Sequence, residues 1–193
     1  MRSTATITFL LACAVSDVAV GCMLFDFDVD PQSLDEGFFR ESQCTVEHIA
    51  IRGHVMKRRY LAAKADAETL KRNGVLDRPA LEALAYAEYY LDHLEEAIAI
   101  MHRSIGTRYI CRVTYECNPY AESQSDPVGD MRAYGFLAHT YRRLNQIAEA
   151  TKAEVAYKAA FNKSCKEMWD KSDGQCEALF QYSSNHLWRE MSD

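Results

Sequence analysis

The stretch Tyr134-Gly135-Phe136-Leu137-Ala138-His139-Thr140-Tyr141, followed nine residues after its last aromatic by Ala150, decides the fold. Large apolar residues alternate with small ones at helical spacing, and another small residue stands one helix later. That combination lets two antiparallel helix backbones approach and bury a shared face. A second, weaker copy runs from Leu81 through Leu84, Ala85 and Ala97 to Met101. Together they predict an all-α protein of antiparallel helix pairs.

Outward from these copies, the helical pattern continues. Val46, Ile49, Ala50, Gly53, Met56, Tyr60 and Ala63 recur at helical spacing, which predicts one long amphipathic helix over residues 45–72, stopped by Asn73-Gly74. Asp77 can cap the next helix, with Pro79 in its first turn, where a missing N–H is harmless. That helix continues past Tyr90, and a turn near Asp92-His93 starts a partner running to Ser104. Residues 106–130 break the pattern. Two prolines, Cys111, Cys117 and the β-branched run Tyr109-Ile110-Cys111-Arg112-Val113-Thr114-Tyr115 predict an inserted loop or short hairpin. Helices resume over 131–161. A last segment at 177–191, with Leu179, Phe180, Tyr182, Leu187 and Trp188, reads as a packing cap. Residues 45–193 are thus expected to form a single helical domain.

The beginning of the chain reads as an export signal rather than as structure. Arg2 supplies a positive start, Ala5 to Val15 form an apolar run too short to span a bilayer, and small residues follow at cleavage-compatible spacing. Residues 1–21 are therefore expected to be a signal peptide, cut after Ala14 or after Gly21, and 22–44 an acidic, extended lead. Leu10-Leu11-Ala12-Cys13 and Ala19-Val20-Gly21-Cys22 also resemble the lipobox of bacterial lipoproteins, which leaves open a lipid anchor on Cys13 or Cys22. The expected location is secreted, or the periplasm or cell envelope.

Cysteine usage agrees with export. Cys22, Cys44, Cys111, Cys117, Cys165 and Cys176 remain after either cut, an even number that suggests disulfides. Locality favours Cys111 with Cys117 and Cys165 with Cys176, leaving Cys22 and Cys44. No Cys-x-x-Cys pair occurs, so a zinc knuckle is not expected. The formal charge of −6 argues against nucleic acid or anionic lipid as the main partner. The one basic cluster, Lys57-Arg58-Arg59, reads as a solvated helix face.

The helix-pair residues resemble the tetratricopeptide repeat family. Its pattern asks for large, Leu, small and aromatic residues on a first helix, then small, aromatic and small on a second. The better copy supplies Tyr134, Leu137, Ala138, Tyr141 and Ala150, with Glu154 at the second-helix aromatic position and Tyr157 at the last small one. The other supplies Leu81, Leu84, Ala85, Ala97, Met101 and Ser104, with Glu88 where the aromatic belongs. The resemblance covers residues 78–161. Ala97 and Ala150 lie 53 residues apart against a family period of about 34, making the cysteine loop an insertion of about 19 residues. The implied architecture is a short solenoid, and a plain helical bundle with a disulfide-braced loop uses the same packing.

The resemblance implies a concave groove lined by Glu82, Tyr86, Tyr89 and Tyr90 from one copy and by His139, Arg142 and Arg143 from the other. Tyrosines offer amphipathic area at low entropic cost and arginines grip carboxylates, as a protein or peptide partner requires. The asparagine and lysine of the family's carboxylate clamp are absent. Catalysis is not expected. The six histidines form no His-Glu-x-x-His or Glu-x-x-His, and no Gly-x-Ser-x-Gly elbow, phosphate loop or dinucleotide fingerprint occurs. No metal or cofactor is called for. Asn162-Lys163-Ser164 is a glycosylation sequon. The expected role is an exported, non-catalytic scaffold that binds a protein or peptide. The alternatives are a secreted effector, toxin or inhibitor acting through the Cys111–Cys117 loop, and a small-ligand carrier with a pocket of Tyr86, Tyr89 and Tyr90.

Overall fold

The structure, a computed structural model, describes residues 44–110 and 127–180 together with the isolated positions Gln32 and Glu36. The expected leader, Cys22, the Cys111–Cys117 pair, and Tyr182, Leu187 and Trp188 lie outside them. The described chain forms helices α1 (Val46–Met56), α2 (Tyr60–Arg72), α3 (Arg78–Tyr90), α4 (Leu94–Ser104), α5 (Pro127–Arg143) and α6 (Ile147–Trp169), then a short α7 over 173–180. No strand occurs among the described residues. The protein is all-α and built of antiparallel helix pairs.

The helix ends follow from local chemistry. Asp77 caps α3 by accepting from the Ala80 N–H at 3.1 Å, and Pro79 stands in the first turn. Gly74, at φ +70°, supplies the left-handed residue that ends the α2 region. At the α3–α4 junction Asp92 sits at φ +66°, its N–H donating to the Tyr89 carbonyl and the His93 N–H to the Glu88 carbonyl. Asn145, at φ +59°, closes α5–α6 identically, with the Gln146 N–H bonded to the Tyr141 carbonyl. These are Schellman closures, in which a left-handed residue lets two N–H groups satisfy carbonyls of the last turn.

Arg58 makes the same closure between α1 and α2, at φ +57°, with the Arg59 N–H donating to the His54 carbonyl. The single helix expected over 45–72 is therefore two helices forming a hairpin. Apolar spacing did not reveal the break, because Met56 and Tyr60 are four apart whether the chain continues or reverses. The triplet Lys57-Arg58-Arg59 is consequently a turn and not a helix face. Two further boundaries differ: α5 begins at Pro127 rather than Met131, and α6 passes Phe161 to end at Trp169.

After each closure a buried alanine occupies the same place. The N–H groups of Ala63, Ala97 and Ala150 donate to the carbonyls of Arg59, His93 and Gln146, and all three side chains are buried. The absence of larger side chains there lets the two helices of each hairpin approach closely.

The hairpins stack in order. Helix α3 buries two faces, made possible by its alanines. Ala80, Ala83 and Ala87 meet Ile51 of α1 and Ala63, Ala67 and Leu70 of α2. Leu81, Ala85 and Tyr89 meet Ala97 and Met101 of α4 and Phe136 and Leu137 of α5. Each of these large side chains stabilises the fold by about 1.5–3 kcal/mol through burial. A third cluster joins Met131 of α5 to Tyr157, Phe161 and Cys165 of α6 and Cys176 of α7. The Cys165–Cys176 disulfide, expected from sequence, fastens α7 to α6. Cys44, two residues before the start of α1, is also disulfide-bonded.

Buried charge reinforces the stacking. Glu88 accepts from Lys64 of α2 at 2.7 Å and pairs with His93 at 2.7 Å. Burial alone would raise its pKa, but the hydrogen bonds from Lys64 and His93 outweigh that and hold it below the usual carboxylate range. Arg78, buried at the start of α3, binds Glu82 at 2.9 Å and Asp130 of α5 at 3.0 Å. The backbone N–H of Arg78 donates to the Arg108 carbonyl, and Asp77 Oδ2 accepts from the Ile110 N–H, so the segment leaving α4 is held against the α3 start.

Candidate functional site

Helices α3 and α5, the first members of the second and third hairpins, run side by side and share one face. Tyr86, Tyr89 and Phe136 form its aromatic floor, with ring centroids 4.8 Å and 5.6 Å from Phe136 in edge-to-face contact. The Tyr89 hydroxyl lies 2.7 Å from Nε2 of His139. Burial, and then the charge of Arg143, lower the His139 pKa from its ordinary value. Burial, reinforced by Glu82, pushes the Tyr86 phenol up to about 12. Both groups are accordingly neutral near pH 7.

Arg143 covers the Tyr89 ring at 4.8 Å and binds Asp92 at 2.7 Å. Its side chain remains 42% exposed. Tyr90 is 57% exposed and stacks on Tyr60 of α2 at 5.0 Å. At the opposite end of the face, Glu82 bridges Arg78 and Arg132, and Arg132 also donates to the Tyr109 hydroxyl at 3.2 Å.

Of the residues assigned to the groove from sequence, Glu82, Tyr86, Tyr89, Tyr90, His139 and Arg143 come together here. Tyr86 and Tyr89 both pack edge-to-face against Phe136 of α5. Arg142 points elsewhere: its guanidinium grips Glu154 of α6, with Nε donating at 2.7 Å. Sequence reasoning missed Tyr60, Arg132 and Tyr109. Tyr60 had been placed mid-helix, and the other two reach the site only through the register between hairpins. The sequon lies within α6, where Ser164 is buried and donates its hydroxyl to the Ala160 carbonyl at 3.0 Å.

Among the described residues no three His, Cys, Asp or Glu side chains are grouped as a metal ion requires, and no helix is long and apolar enough to cross a membrane. The arrangement offers exposed aromatic area, on Tyr90, beside the guanidinium of Arg143. No protein-family model, no curated protein and no solved structure matches the chain.

Proposed function

We propose that the protein is an exported, non-catalytic scaffold of tetratricopeptide-like build that holds a protein or peptide on the shared face of α3 and α5. The observation that carries this reading is the Tyr89 ring, joined to His139 through its hydroxyl and touched both by the exposed Tyr90 and by Arg143, so that these two flank one aromatic ring. Tyr90 offers apolar area at low entropic cost, and Arg143 a fork for a carboxylate. The fitting ligand is a segment with an apolar or aromatic side chain next to an acidic one.

Three features support the tetratricopeptide-like build. Three hairpins share one closure, a buried alanine follows each, and Arg58 and Asp92 stand 34 positions apart, which is about the family's period. Oxidised cysteines at 165 and 176 and the apolar leader support export.

Selection of peptides from a displayed library against the full chain tests the proposal. Tyr90→Ala with Arg143→Glu should reduce capture of the selected peptides at least tenfold while leaving helical circular dichroism unchanged. Lys152→Glu, at an exposed α6 residue paired with Glu149, should have no effect. Capture that survives the double substitution would rule out this face.

A further inference from the structure

The turn between α1 and α2 carries chemistry that the shared face does not use. Lys57, Arg58 and Arg59 are all exposed. None has a carboxylate partner among the described residues, whereas Lys64, Arg142, Arg143, Lys152, Lys158 and Lys166 are each paired with one. On either side of the triplet an apolar side chain stands in solvent: Met56 is 48% and Leu61 73% exposed. The Schellman closure at Arg58 and the stacking of Tyr60 on Tyr90 fix the turn's shape.

We infer that this tip is a docking site for an anionic lipid surface. Cations beside exposed apolar side chains match both layers of such an interface: the charges meet headgroup phosphates while Met56 and Leu61 enter the acyl boundary. Charge complementarity comes from the triplet itself, and the shape of the site selects the occupant. A peptide needs a concave seat, whereas a hairpin end with consecutive exposed residues meets a plane. The chain's net charge of −6 argues against a broad anionic-lipid interface, but at physiological salt charges beyond about 8 Å are largely screened, so the triplet can act locally at the tip. Attachment is therefore local, salt-sensitive and weak, with each cation worth about a fivefold change in affinity.

Co-sedimentation of the full chain with vesicles of phosphatidylcholine alone, and of phosphatidylcholine with phosphatidylglycerol, tests the site. Binding is expected only with phosphatidylglycerol present, and should fall as salt rises. Lys57→Glu with Arg59→Glu should weaken it more than tenfold, and Leu61→Ser several-fold. Lys71→Glu with Arg72→Glu makes the same charge change at the other end of α2 and should leave most of the binding. Absence of binding to the anionic vesicles would overturn the inference. So would equal losses from the two charge-reversed proteins, or binding of an acidic peptide at the tip in place of vesicles. Circular dichroism of each variant confirms that it is folded, and Tyr90 and Arg143 are left intact so that this outcome is independent of the peptide face.

Discussion

The Tyr89 hydroxyl and Nε2 of His139 lie 2.7 Å apart across 50 residues of sequence, joining the first helices of two successive hairpins. The His139 pKa is lowered, first by burial and then by Arg143. In the window between that lowered value and the unfolded value of about 6.5, the unfolded chain binds the proton and the folded chain does not. Stability therefore rises with pH through the window, levels off above it, and falls as the solution is acidified. As the solution is acidified from about pH 7 through the unfolded value of about 6.5, the denaturation midpoint should drop more steeply for the native protein than for His139→Gln. Identical pH slopes would show that His139 is not the group responsible.

Glu88 should govern the more acidic range. Its pKa is held below the usual value by Lys64 and His93 against the cost of burial, so its contribution is present above the unfolded carboxylate value and lost as pH falls through the folded one. Glu88→Gln leaves the Lys64 ammonium without its counter-charge and should cost about 2 kcal/mol at neutral pH. Chemical denaturation measures this directly; a cost near zero would mean the buried pair merely offsets its own desolvation.

Arg58 occupies a left-handed backbone position that costs a side-chain-bearing residue about 1 kcal/mol relative to glycine. Because Arg58 is exposed and has no carboxylate partner, Arg58→Gly should raise stability by about 0.5–1 kcal/mol. The equivalent change at Asn145 should give less, since asparagine tolerates this conformation. A thermal midpoint that falls on Arg58→Gly would contradict the closure assigned here.

Gly135 sits mid-helix in α5, where an added Cβ would meet two ring carbons of Tyr157 at 3.5 Å, an ordinary contact. Gly135→Ala should stabilise the protein by about 0.5–1 kcal/mol through helix propensity. Gly135→Leu should destabilise it by about 1–3 kcal/mol, because α6 cannot retreat from an intact core. Thermal melts of the two variants should move in opposite directions.

The parts legible in the sequence were those with local signals. Asp77 and Pro79 announced α3, Ala97 and Ala150 marked close helix pairs, and the eleven-residue separation of Cys165 and Cys176 pointed to their bridge. The α1–α2 turn was hidden because its left-handed residue is an arginine, with none of the glycine or asparagine signature expected there. Helical periodicity placed Tyr86, Tyr89 and Tyr90 on one helix and His139 and Arg143 on another. Which of them would be spent on packing depended on the register between hairpins, and that register arises from the complete core. Arg142 shows the limit well: one position from Arg143, it is drawn to Glu154 on the neighbouring helix.

Hairpins that touch mainly their neighbours ordinarily loosen from the terminal members inward. Here the Cys165–Cys176 bridge secures the last described helix to the one before it. Amide exchange should therefore show the α6–α7 junction better protected than a terminal position would give, and reductant should remove that protection while the contacts between α3 and α5 stay as they are.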